Sequence, residues 1–178
     1  QVKNPVSFAV LGYGHIGKRH AATIHAHPGA ELRSVADVAD VSASLESDSE
    51  GEKISVYPSI DALLAQSPLP EVINVCTPNG LHAAQCIQIL EAGCHVVLEK
   101  PIALSVFDAR LVAEASASTG KHVFCVMQNR FAPPSVWLKS LVESGKLGEI
   151  RQVHIQCFWN RDDSYYASSP WRGTMALD

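Results

Sequence analysis

Glycine at three positions in Gly12-Tyr13-Gly14-His15-Ile16-Gly17 constrains this chain more than any other feature, because of what lies on either side. An apolar run, Val6 to Leu11, feeds the glycines, and a helix-like segment through Ile24 follows them. Strand, glycine-rich turn and helix in that order form the dinucleotide fingerprint: one glycine for the tight turn, one for close approach of a pyrophosphate, one for packing of helix on strand. Gly12, Gly14, His15, Ile16 and Gly17 are therefore expected at the phosphates, which the helix N-terminus attracts through free N–H groups and its dipole. A second apolar run, Glu31 to Ala36, ends in Asp37, about twenty residues beyond the last glycine, where a ribose-binding carboxylate belongs. A carboxylate accepts from a free 2′-hydroxyl and repels a 2′-phosphate, so Asp37 favours NAD over NADP.

Further along, apolar runs alternate with segments of helical period. Ile54-Ser55-Val56, Glu71 to Cys76, His95 to Leu98 and His122 to Val126 read as strands. Between them, Ser59 caps a helix, Ala83, Cys86, Ile87 and Leu90 form one helical face ended by Gly93, and Ser105 with Asp108 forms a capping box before Phe107, Leu111, Val112 and Ala115. Residues 38–53 are rich in serine and acid and read as a short or irregular helix and loop. This alternation specifies an α/β class, a Rossmann-type doubly wound parallel sheet, over residues 1–130.

Past Phe131 the pattern changes. Pro133-Pro134 starts a helix with Trp137, Leu138, Leu141 and Val142 expected to be buried. From Glu149 the residues alternate, with Val153, Ile155, Cys157 and Trp159 on one face, which predicts the first strand of an open antiparallel sheet. Residues 131–178 thus read as the beginning of an α+β substrate or oligomerisation domain.

Composition excludes several classes. With 47% hydrophobic and 18% charged residues the chain is globular, and a net charge of -4 offers no basic field for nucleic acid or an anionic membrane. No apolar stretch is long enough to span a bilayer and none resembles a signal peptide, so a soluble cytoplasmic protein is expected. The five cysteines lie in apolar stretches and read as reduced core residues, and no histidine has metal-ligand spacing, so no metal is expected.

In open α/β sheets ligands bind beyond the carboxyl ends of the strands. Thr77-Pro78-Asn79 with His82, and Glu99-Lys100-Pro101, occupy those places. Together with Gly-Tyr-Gly-His-Ile-Gly-Lys-Arg-His (12–20), Ala-Gly-Cys-His-Val-Val-Leu-Glu-Lys-Pro (92–101) and Gln128-Asn129-Arg130-Phe131, these motifs resemble the Gfo/Idh/MocA oxidoreductases along essentially the whole chain. Within that family, Phe158 to Arg161, Tyr165-Tyr166 and Trp171 to Thr174 are most similar to the UDP-N-acetyl-2-amino-2-deoxyglucuronate 3-dehydrogenases. The resemblance implies that Thr77, Pro78, Asn79, His82, Glu99 and Gln128 line a cofactor trough, with Lys100 as the catalytic residue beside the nicotinamide. It also implies that Trp171 and Arg172 approach the cofactor, that Arg130, Arg161, Tyr165 and Tyr166 contact a sugar or nucleotide-sugar, and that the protein forms a homodimer or homotetramer. The expected activity is NAD-dependent oxidation of a sugar secondary alcohol. The competing expectation is a non-catalytic dinucleotide-binding or regulatory protein of the same fold. Family members continue past Leu177-Asp178 into a helix bearing a catalytic histidine, so the chain is expected to be an N-terminal part, inactive alone.

Overall fold

The computed structural model describes residues 4–48 and 53–178, and the chain divides into two compact units, Gln1–Val126 with Thr174–Asp178, and Met127–Gly173. In the first unit six strands form one sheet: β1 (Val6–Leu11), β2 (Ala30–Ala36), β3 (Ser55–Tyr57), β4 (Val72–Val75), β5 (His95–Leu98) and β6 (Val123–Cys125). Their order is β3-β2-β1-β4-β5-β6 and every pairing is parallel, the doubly wound arrangement that alternation of strand and helix predicts. Register places Leu11 beside Ala36 and Val75, Val75 beside Leu98, and Leu98 beside Cys125, so the carboxyl ends of five strands finish in one row. That row is the edge at which such sheets bind ligands.

Burial on both faces explains the continuous apolar strands. On one face α1 (His15–Ala26) lays Gly17, Ala21 and Ile24, spaced four and three residues apart, against Val10, Leu32 and Val35. On the other, α3 (Ile60–Leu64), α4 (His82–Glu91) and α5 (Val106–Thr119) cover Ala9, Leu11, Ile73, Val75, Val96 and Leu98 with Leu63, Cys86, Ile89, Leu90 and Val112. Each fully buried Leu, Ile or Val contributes roughly 1.5–3 kcal/mol. Of residues 38–53, α2 (Ser42–Asp48) is helical, with Leu45 buried, while 49–52 lie outside the described residues. The caps read from sequence form: the Ser59 hydroxyl accepts from the Ala62 N–H at 3.1 Å and the Ser105 hydroxyl from the Asp108 N–H at 3.0 Å. Gly93 and Gly120 stop their helices at positive φ. Phe107 departs from its expected place in a buried stripe and is 69% exposed, because α5 turns Val112 to the sheet instead.

The second unit carries α6 (Pro133–Glu143) and α7 (Asp163–Ala167), the latter capped by the Asp162 carboxylate accepting from the Tyr165 N–H at 3.1 Å. Two expectations fail here. Trp137, Leu138 and Val142 are exposed, since nothing described covers that stripe of α6. Residues 151–159 alternate as expected but form no strand, with Val153, Ile155 and Trp159 exposed. Alternation specifies two faces, whereas a strand also requires a partner to take its N–H and C=O groups, and no described segment pairs with this one. Cys157 on it is exposed, against the expectation that all the cysteines are core residues; Cys86 and Cys94 are buried and Cys76 and Cys125 half-buried. Among the described residues no helix is long and apolar enough to cross a membrane.

Candidate functional site

The cradle begins where β1 ends. Gly12 adopts φ +90°, and a Cβ there would lie 2.9 Å from the Cys76 carbonyl, so turn and neighbouring strand both demand glycine. A Cβ on Gly17 would meet the Gly12 carbonyl oxygen at 1.9 Å, which makes this glycine the contact that seats α1 on the sheet. Around Gly14 the situation is opposite: a Cβ would meet nothing within 4 Å. Gly14 is also the N-cap of α1, no side chain caps it, and no acid occupies the first turn. His15 and Ile16 are exposed in that turn. The N-terminus of a twelve-residue helix thus faces an open space bounded by bare backbone, the shape and polarity a pyrophosphate requires.

Asp37, just past β2, closes one side. Its carboxylate accepts from the Tyr13 N–H at 2.6 Å and from the Ala39 N–H at 2.9 Å, while its own N–H donates to the Tyr57 carbonyl at 3.1 Å. The acid is thereby fixed against the glycine turn, and each oxygen keeps a lone pair for a ribose hydroxyl. The residues present fit a dinucleotide with a free 2′-hydroxyl.

The loops after β4 and β5 complete the row. The Thr77 hydroxyl donates to the Gln85 side-chain oxygen at 2.5 Å, and Pro78 precedes a 3-10 turn, Asn79–Leu81. The Asn79 amide donates to Asp178 at 3.2 Å and the Gly80 N–H to the Leu177 carbonyl at 3.1 Å. A Cβ on Gly80 would lie 2.1 Å from the Ala176 carbonyl oxygen. His82 is 1% exposed, with Nδ1 2.7 Å from the Pro101 carbonyl and Nε2 2.9 Å from the Thr77 carbonyl. Both nitrogens face main chain, so this ring joins the two loops and offers neither nitrogen to a ligand.

Glu99 follows β5. One oxygen lies 3.0 Å from His20 Nε2 and the other accepts from the Lys100 N–H at 3.2 Å. Burial raises its pKa, but the hydrogen bond from His20, with the Lys100 N–H and charge, outweighs it and holds the carboxyl below the ordinary glutamate range. Lys100 is exposed and its bond to Pro101 is cis. Burial, then the Glu99 charge, pushes the Cys76 thiol up, and burial pushes Cys86 up to about 12, so neither is a ready thiolate.

In the second unit, Arg161, Tyr165, Tyr166, Trp171 and Arg172 come together. The Arg161 guanidinium sits 4.6 Å from both the Trp159 and Tyr165 ring centroids, and Arg172 sits 4.1 Å from that of Tyr165. Arg172 also donates to the Tyr165 carbonyl at 2.9 Å and to the Ser168 hydroxyl at 2.8 Å. Two cations on aromatic faces form a patch suited to an anion carrying a flat ring. Gln128 and Arg130 are exposed near the start of the unit.

Sequence reasoning assigned no role to His20 or Asn74. Asn74 Nδ2 lies 2.9 Å from His20 Nδ1, so a chain of polar groups runs Asn74, His20, Glu99 beneath the edge. The available signal was an amide in the middle of the apolar run Val72 to Val75, a buried polar group that must find a partner.

Known proteins resemble this chain closely. The sequence model of an oxidoreductase family, described as having an NAD-binding Rossmann fold, matches residues 6–127. D-glucoside 3-dehydrogenase of Escherichia coli is 33% identical over 83% of the chain and 42% of its own length. Inositol 2-dehydrogenase of Rhizobium meliloti is 29% identical over 84% of the chain and 44% of its length. The crystal structures of the WlbA dehydrogenases of Chromobacterium violaceum and Bordetella pertussis, each in complex with NADH and UDP-GlcNAcA, superpose with a TM-score of 0.91 over the full chain, at 32% and 31% identity. The chain spans 51% and 53% of those two proteins, and less than half of the two enzymes named before them.

Proposed function

The chain belongs to the Gfo/Idh/MocA oxidoreductase family, whose NAD-binding Rossmann fold its first unit contains, and from that premise we propose that the whole protein oxidises a secondary hydroxyl of a nucleotide-linked sugar with NAD. The observation that carries this reading is the convergence on one sheet edge of the open space at Gly14, the fixed carboxylate of Asp37 and the Glu99-Lys100 pair. Gly12, Gly14, His15, Ile16 and Gly17 hold the phosphates, Asp37 selects NAD over NADP, and Thr77, Pro78, Asn79 and Glu99 border the same cofactor. His82 serves by bracing the Thr77 and Pro101 loops together.

NAD, when bound, supplies the two-electron acceptor. Lys100, on a flexible stem at the strand end, reaches the reacting hydroxyl and, in its neutral amine form, accepts the proton as the carbinol becomes a carbonyl. Arg161, stacked on Tyr165, is assigned to the anionic part of the sugar nucleotide, and Arg172 with Trp171 to the cofactor. D-glucoside 3-dehydrogenase supports a sugar 3-hydroxyl as the reacting group, and the UDP-GlcNAcA held in the WlbA complexes supports a UDP-linked sugar acid as its carrier.

The test is absorbance of NADH produced by the full-length protein against UDP-hexuronates, free glucosides and inositols. Turnover with UDP-hexuronates at least tenfold above the others supports the assignment. Turnover confined to inositols, or absent with all three while NAD binds, refutes it.

A further inference from the structure

We propose that His20 is the positioning residue for the Glu99-Lys100 pair: Asn74 fixes which ring nitrogen carries hydrogen, and that N–H anchors the Glu99 carboxylate against the Lys100 main chain. The inference deepens the function proposed above and rests on it only for its catalytic meaning.

The geometry supports each link. His20 lies one turn past Gly17 on α1, so the close seating of that glycine brings its ring down onto the sheet between β4 and the end of β5. His20 and Glu99 side chains are only 15% and 16% exposed, and Asn74 is 4% exposed. The Asn74 amide offers Nδ2 to His20 Nδ1 at 2.9 Å. An N–H donor requires a bare acceptor, so Nδ1 carries no hydrogen and the neutral ring carries it on Nε2. Nε2 then donates to Glu99 Oε1 at 3.0 Å, and the opposite oxygen is left for the Lys100 N–H.

Asn74 Oδ1 is buried and without a partner. Reversing the amide would present Oδ1 to Nδ1, demand hydrogen on both ring nitrogens and leave Nδ2 bare instead. With Nδ2 toward the ring, His20 can accept only on a bare Nδ1, and the hydrogen that reaches Glu99 must then sit on Nε2. Among the described residues, the charged or titratable groups near this polar chain include Lys100 and Cys76 beside Glu99, and His27, which borders the same cavity of about 430 Å3 as His20 and Asn74. Among the described residues the His20 ring is the side chain that hydrogen-bonds the Glu99 carboxylate, beside the main-chain N–H of Lys100, so its donor bears on how firmly that carboxylate is held.

The experiment uses the 178-residue chain labelled with carbon-13 and nitrogen-15. In the wild type above neutral pH, the His20 ring nitrogen shifts should show hydrogen on Nε2; hydrogen on Nδ1 would overturn the proposal without any variant. The Glu99 carboxyl should titrate below the ordinary glutamate range. His20→Leu keeps the burial and removes the donor, and should move that midpoint upward by about one pH unit or more. His20→Gln supplies an amide donor and should recover at least half of the shift. A folded His20→Leu chain whose Glu99 titrates as in wild type would show that the histidine merely fills space. Should His20→Leu not fold, Asn74→Leu is the second variant, and an unchanged single tautomer there would overturn the part assigned to Asn74. NAD titration of the same samples separates the two claims: failure of the wild type to bind NAD refutes the proposed function, while a Glu99 midpoint indifferent to His20 refutes this inference alone.

Discussion

Replacing Gly14 with valine should separate folding from cofactor binding. The residue adopts φ -72° and ψ -164°, extended backbone open to any L-amino acid, and a Cβ there meets nothing within 4 Å. Valine is a poorer N-cap than glycine, which sets the folding cost at up to about 1 kcal/mol. For a chain of this size that lowers the melting temperature by about 2–4 °C. The cofactor experiences the substitution differently, because the branched side chain fills the space in front of the α1 N-terminus. Charge-assisted hydrogen bonds of the kind an anion makes there contribute about 1.5–3 kcal/mol each. Loss of two, about 3–6 kcal/mol, weakens NAD by at least about a hundredfold. Thermal melts and NADH fluorescence titration of the same preparation measure both quantities. Unchanged affinity in a folded variant would refute the cradle. Collapse of the fold would refute the reading of Gly14 as an open position.

Gly17→Ala should show the reverse: its Cβ would press on the Gly12 carbonyl oxygen, and overpacking of this kind costs about 1–3 kcal/mol, visible as a lowered urea midpoint even without NAD. Asp37→Ser should weaken NAD by about tenfold or more and bring NADP to within a few-fold of it, checked by competitive titration. In the full-length protein Lys100→Met should leave NAD affinity intact and reduce turnover by about two to four decades, measured by steady-state kinetics with the sugar substrate. Glu99 is held below the ordinary glutamate range, so the stability it contributes is fully present above that range and fades as pH falls through its lower folded pKa. The melting-temperature difference between wild type and Glu99→Gln should therefore stay constant above the range and narrow in acid; a difference that widened in acid would contradict the direction of the shift.

How much of this was legible beforehand depends on whether a feature is local. The glycine turn, Asp37 and the caps at Ser59 and Ser105 depend on neighbours a few residues away, and the sequence pattern shows them directly. The doubly wound parallel arrangement follows from the alternation of strands and helices with handed crossovers, which is nearly as local, whereas the strand order comes from the structure. The Asn74-His20-Glu99 chain spans separations of 54 and 79 residues, so no window of sequence contains it. His82 shows a related limit: its position after the Thr77-Pro78-Asn79 loop was readable, but the direction of its ring was set by the Pro101 carbonyl from another strand end. Gly80 belongs with them, as its need for glycine comes from the Ala176 carbonyl. The alternation of residues 151–159 reported two faces correctly and could not report the partner a strand requires. Likewise Trp137 and Phe107 follow an apolar period that specifies a face, while burial depends on what covers it.

Mapping NADH and NADPH onto the backbone amide spectrum of the labelled chain shows whether the carboxyl edge of its sheet holds NAD. NADH should saturate and shift the amides of Gly12 to Gly17, Asp37 and Glu99, leaving those of Ser7, Glu71 and His95 at the opposite ends of the strands in place. NADPH should require at least about tenfold higher concentration for the same pattern. Saturable shifts confined to other surfaces, or none at millimolar NADH, would contradict the account.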